Sequence, residues 1–160
     1  MEPILSRHSP FRCLRVATAA LALVLLLTLP GCHRERVLAR QGDLLITGAY
    51  AHPSTGDAGA AYVRVRNGGS TADTLVSAAG PAPSSAMLMT TEAGRMLSQA
   101  MVIVPAGGEL DMRPGGVHVM FSGLTGEYRI GDTLRVSLTF ARGGTVAVAA
   151  PVVPYGEMPE

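Results

Sequence analysis

Beyond Asp43 the chain consists of short runs rich in Val, Leu, Thr and Tyr, broken by Gly, Pro, Asn and Asp at intervals near ten residues. This is the rhythm of an antiparallel sandwich or barrel. In Tyr62-Val63-Arg64-Val65-Arg66 the two valines fall on one side of an extended chain and the two arginines on the other, because successive side chains of a strand point to opposite faces. Leu134, Val136, Leu138 and Phe140 form a second inward row by the same rule. The pattern predicts strands at 44–51, 60–67, 74–79, 85–90, 95–104, 108–113, 118–122, 133–140 and 146–152. Between them, Asn67-Gly68-Gly69, Pro105-Ala106-Gly107-Gly108, Pro114-Gly115-Gly116 and Arg142-Gly143-Gly144 supply turn chemistry. No segment sustains a helical period, and no internal repeat is visible.

The start of the chain follows a different plan. Arg7, Arg12 and Arg15 precede an uncharged run over residues 16–29, the layout of a signal peptide. The run is shorter than the roughly 20 residues that a membrane-spanning helix needs. It ends in Leu29-Pro30-Gly31-Cys32, which resembles a bacterial lipobox. That resemblance implies acylation of Cys32, which then becomes the N-terminus and holds the protein to a membrane by lipid alone. The predicted organisation is a signal peptide over 1–31, a lipidated tether over 32–42, one β-domain over 43–153 and a loose tail over 154–160. The expected location is the cell envelope, facing the periplasm from the outer or inner membrane. His33, standing where Asp would retain a lipoprotein at the inner membrane, favours the outer membrane in a Gram-negative host.

Composition narrows the function classes. Apolar residues make up 48% of the chain and charged residues 16%, which suits a domain with a core rather than a disordered segment. The net charge is +1 and the arginines do not cluster beyond the first forty positions, so nucleic acid is not an expected partner. With Cys13 in the signal segment and Cys32 lipidated, the domain has no thiol and no disulfide, and thiol catalysis is excluded.

The methionines carry the candidate chemistry. Six of the eight fall between Met87 and Met120. Met87-x-Met89 and His118-x-Met120 each put two side chains on one face of a strand, about 6–7 Å apart along it. Such pairs on nearby strands, with Met96, can converge on one ion. Thioether is a soft ligand and imidazole a borderline one, and no carboxylate in the set attracts a harder metal, so the ion that fits is Cu(I). Met101 and Met112 read as core filler. His118 follows Pro114-Gly115-Gly116 at a strand entrance, where exposure is expected. His33 reads as a solvated tether residue and His52, before Pro53, as a turn residue.

Three strings extend the case: Gly59-Ala60-Ala61-Tyr62-Val63-x-Val65-x-Asn67-Gly68-Gly69 with Asp73-Thr74-Leu75-Val76-Ser77-Ala78; Val104-Pro105-Ala106-Gly107-Gly108 with Leu110-x-x-Arg113-Pro114-Gly115-Gly116-Val117-His118-Val119-Met120; and Gly131-Asp132-Thr133 through Leu138-Thr139-Phe140. Together they resemble the PCu(A)C family of periplasmic copper chaperones over residues 44–152. The resemblance implies a cupredoxin-like, immunoglobulin-like antiparallel β-sandwich. It also implies Cu(I) bound through His and Met and delivered to a copper-accepting protein, such as the cytochrome oxidase subunit that holds the Cu(A) centre. The family motif is a histidine, ten residues, a methionine, twenty-one residues, then His-x-Met. Met96, His118 and Met120 match its last three ligands. Counting back ten residues from Met96 reaches Ser85, or Met87 if the hairpin is two residues shorter. Either Met87 or Met89 replaces the first imidazole, or copper binding has been lost.

No nucleophile is paired with a base and no glycine loop precedes a helix, so an enzyme is not expected. Glu109 and Asp111 read as the solvent face of a strand. The rival readings are an envelope lipoprotein of the same fold that binds a protein partner without metal, and a protein for copper storage or detoxification.

Overall fold

The computed structural model describes residues 36–159, and every regular element within them is a β-strand. In chain order these are β1 (Ala39–Gln41), β2 (Leu44–Ala51), β3 (Gly59–Asn67), β4 (Asp73–Ala79), β5 (Ser85–Glu92), β6 (Arg95–Gln99), β7 (Val102–Val104), β8 (Glu109–Asp111), β9 (His118–Ser122), β10 (Thr133–Phe140) and β11 (Gly144–Pro151). A seven-stranded sheet has the order β1-β2-β3-β9-β5-β6, with β8 also paired to β3, and a four-stranded sheet has the order β11-β10-β4-β7. All pairings within the sheets are antiparallel. The rows expected to point inward do so: Val63, Val65, Leu134, Val136, Leu138 and Phe140 are buried between the sheets with Val119 and Phe121, while Arg64 and Arg66 face solvent.

Three expectations are corrected. The run 95–104 is two strands, β6 in the larger sheet and β7 in the smaller, because the chain changes sheets between them. Met101 lies at that crossing and is 58% exposed, so it fills no core, whereas Met112 is buried as expected. At the ends of the domain, β1 forms within the stretch expected as a free tether and pairs Ala39 with Ile46. At the other end Val153 N–H donates to the Ala51 carbonyl at 2.9 Å, and in the exposed tail the Tyr155 hydroxyl donates to the Pro53 carbonyl at 3.0 Å.

Two local devices set the geometry of the larger sheet and its partner. In β2 the register with β3 shifts between Ile46 and Gly48, which makes Thr47 the extra residue of a β-bulge. Leu44 and Ile46 face the core before it; after it Ala49 and Ala51 do, opposite Val63 and Ala61. Tyr50 therefore turns to the outer face, opposite Tyr62. At the other end of the sandwich, the Asp73 carboxylate accepts the backbone N–H groups of Thr74 (2.7 Å), Arg142 (3.0 Å) and Gly143 (2.8 Å), clamping the start of β4 to the β10–β11 turn. Burial acts to raise the pKa of Asp73, but those three bonds and the charge of Arg142 outweigh it and hold the group below the usual carboxylate range.

Candidate metal centre

The pairing of β5 with β9 sets the relation between the two sulfur-bearing pairs. Met87 is opposite Met120, and Met89 is opposite His118. Residues directly opposite in an antiparallel pair share a face, with Cβ atoms about 4.5–5.5 Å apart, and the next row of the same face lies about 6–7 Å along the strand. The four side chains thus form a two-by-two block. Its face is fixed by what lies between: Leu88 and Val119 are buried in the core, so their alternates point outward. Met87 is 49% exposed, while Met89 and Met120 are half-buried.

Met96, on β6, shares this face, because it is opposite Thr91 of β5 and Thr91 continues the Met87, Met89 row. It stands diagonal to Met89, about 7–8 Å away, one strand further from His118 and 59% exposed. The structure therefore brings Met87, Met89, His118 and Met120 together and puts Met96 at the margin of the block.

His118 is buried rather than exposed, at 6%. Its Nδ1 is 3.0 Å from the carbonyl of Gly116. A carbonyl can only accept, so Nδ1 is the donor, and in the neutral ring, the form a metal ligand requires, the lone pair lies on Nε2. The turn expected to expose the histidine instead supplies the oxygen that fixes its tautomer. On its other side stands Tyr62, with ring centroids 6.1 Å apart. Tyr62 in turn stacks on Tyr50 at 4.8 Å, and His52 packs edge-on against both tyrosines at 5.6 and 5.3 Å. Burial, then the neighbouring phenol of Tyr62, raises the pKa of Tyr50; burial, then Tyr155, raises that of Tyr62. Both rings stay neutral at physiological pH, and Tyr62 stands beside the imidazole on the β3 side.

The donor set is soft. Among the described residues no three side chains of His, Cys, Asp and Glu come together in a way that could hold a metal. What the block offers is three thioethers and one imidazole, which suits a soft monovalent ion and serves zinc or calcium poorly. Because the tautomer of His118 is already set and thioethers have no proton to lose, such an ion displaces no proton from the neutral site.

His52 was expected to be a turn residue and is a buried part of this face, at 6% exposure. Its place follows from the bulge at Thr47, which shifts the parity of β2 so that Tyr50 and His52 turn to the outer face, and that bulge is set by pairing with β3 rather than by a local sequence pattern. Cys32 and His33 lie outside the described residues.

The profile of the LpqE-like lipoprotein family matches residues 44–152. A protein named as a lipoprotein, Lxx21020 of Leifsonia xyli subsp. xyli, is 32% identical over 155 residues, covering 90% of this chain and 92% of that one. Among solved structures, the solution structure of Cu(I)-DR1885 from Deinococcus radiodurans is 31% identical with a TM-score of 0.57, covering 79% of this chain and 85% of that chain. The copper-bound PCuAC domain of PmoF2 shares the fold at 19% identity and a TM-score of 0.63, covering 72% of this chain and 97% of that domain. From the alternating strands to the profile match over the whole β-domain the observations agree: this chain belongs to the LpqE-like lipoprotein family and has the cupredoxin-like fold of the PCuAC domains.

Proposed function

We propose that this protein carries copper at the cell envelope, holding Cu(I) through Met87, Met89, His118 and Met120 and handing it to a copper-accepting protein such as a subunit of cytochrome oxidase. The observation that carries this reading is the register of β5 on β9, which sets Met87 against Met120 and Met89 against His118 on one outward face. The copper-bound states of DR1885 and of the PmoF2 domain support it. Here a methionine stands in for the family's first histidine, which makes the site richer in sulfur and favours Cu(I) over Cu(II). Met96, exposed at the margin, is suited to ligand exchange during transfer, taking part as the ion arrives or leaves. No step of this cycle makes or breaks a covalent bond of a substrate, and the protein acts as a carrier rather than an enzyme.

Titration of the full chain in detergent with Cu(I), against a competing chelator, tests the reading. One ion is expected to bind tightly, and the variant with Met96, His118 and Met120 all changed to Ala is expected to lose it. Equal retention by the variant ends the proposal. The lipid anchor at Cys32 is tested separately: labelled palmitate is expected to enter the protein in a bacterial host, and Cys32→Ser to abolish incorporation. Anchoring by lipid confines a carrier to a membrane surface and raises its concentration there.

A further inference from the structure

A second imidazole stands close to the block, on the far side of Met120. The outer face of the larger sheet is a lattice whose transverse rows can be followed from strand to strand. His52 N–H donates to the Ala60 carbonyl at 3.3 Å, continuing the β2–β3 ladder one residue past its end. Ala60 is opposite Met120 on β9, and Met120 is opposite Met87 on β5. His52, Ala60, Met120 and Met87 therefore form one row. With strands about 4.8 Å apart, the backbones of His52 and Met120 are about 10 Å apart. Between them Ala60 contributes only a methyl group.

The space left above that methyl is a cavity of about 150 Å³ lined by His52, Ala60, Tyr62, Met120 and Tyr155 among others. The Nδ1 atom of His52 lies 3.3 Å from the Val153 carbonyl, which can only accept, so in the neutral ring Nδ1 carries the proton and Nε2 the lone pair. No hydrogen bond engages Nε2 among the described residues. Tyr155 packs over the His52 ring at 4.7 Å and Tyr62 meets it edge-on at 5.3 Å, and both line the gap with aromatic rings, which favour a cation. No carboxylate lines it.

We propose that His52 and Met120 form a second position for Cu(I) above Ala60, with Met120 shared between this position and the block. This rests on the carrier reading for the role of Met120. The ion moves by exchange of neutral ligands: Met120 stays attached while His118 and the other thioethers release and the His52 Nε2 lone pair takes hold. The oxidation state does not change and no proton is transferred. The second position lies toward the loop after β2 and the C-terminal segment, so it gives the ion an exit on the side of the face opposite β6.

The test uses the full chain in detergent, labelled with ¹⁵N at histidine, with His8 and His33 changed to Gln so that His52 and His118 are the two remaining imidazoles. Cu(I) is added anaerobically up to two equivalents while the ring nitrogens are followed by long-range ¹H–¹⁵N correlation. The expected result is a shift of His118 Nε2 with the first equivalent and of His52 Nε2 with the second, and loss of the His52 shift in Met120→Leu. A His52 signal that stays in place at two equivalents while His118 moves overturns the second position and leaves the block standing. Movement of His52 alone overturns the block instead. If neither moves, both fall; if the His52 shift survives Met120→Leu, the sharing of Met120 is wrong.

Discussion

Changing Asp73 to Ala is expected to lower the unfolding free energy by about 2–4 kcal/mol, since three backbone donors lose a charged acceptor at once. Two of those donors, on Arg142 and Gly143, belong to the β10–β11 turn, and the carboxylate is their link to β4. The turn is also intolerant of adjustment: a side chain at Gly143 would meet Leu44 at 2.7 Å, and Gly144 takes a φ of +77°. Asp73→Asn keeps one acceptor oxygen and should fall between wild type and Ala. The pH dependence has a definite sign. The folded-state pKa of Asp73 is depressed below the unfolded value of about 3.9, so its stabilisation is complete above that value. It is lost as pH falls through the folded pKa. Urea unfolding of wild type and Asp73→Ala should therefore show the full gap at pH 7 and a smaller one near pH 3. A gap that does not narrow would mean that the carboxylate charge is not what the three donors need.

The second large effect is on copper rather than on the fold. Changing Met87 and Met89 together to Leu removes two sulfur donors from the block at little cost in volume. Leu-for-Met exchanges usually change stability by less than about 1.5 kcal/mol, and these two side chains face outward. Cu(I) affinity in a chelator competition is expected to fall by more than about a hundredfold, given that losing even a group that merely supports a metal ligand costs about 10- to 100-fold. Met101→Leu and Met112→Leu serve as controls. Met101 is exposed at the crossing between sheets and Met112 is in the core, so neither should change the affinity. A double variant that binds as tightly as wild type would remove Met87 and Met89 from the site.

Alternation made most of the sandwich legible in the sequence. The long rows of β3 and β10 repeat with period two over enough residues to identify both strand and buried face. Alternation is silent where the physics is not local. Nothing in the run 95–104 marks the point where the chain leaves one sheet for the other, since a strand in either sheet shows the same short-range pattern. β1 has three residues, too few for a period to show, and its order comes from pairing with β2. At the site, parity within each pair was readable because Met87 and Met89, like His118 and Met120, are two residues apart. Which pair faces which was not, because the β5–β9 register is set by contacts some thirty residues apart along the chain. The burial of His118 was missed for the same reason: Tyr62 covers it from β3.

Thr47 works as a phase shift in β2. Before it, even-numbered positions answer to the core; after it, odd-numbered ones do. One strand therefore belongs to two selective regimes, with Leu44 and Ile46 constrained by packing at one end and Tyr50, with His52 just beyond the strand, by the outer face at the other. Were Thr47 instead drawn into the ladder as an ordinary paired residue, alternation would run uniformly through β2 and exchange the two faces downstream, turning the ring of Tyr50 and the imidazole of His52 into a space now filled by the methyl groups of Ala49 and Ala51.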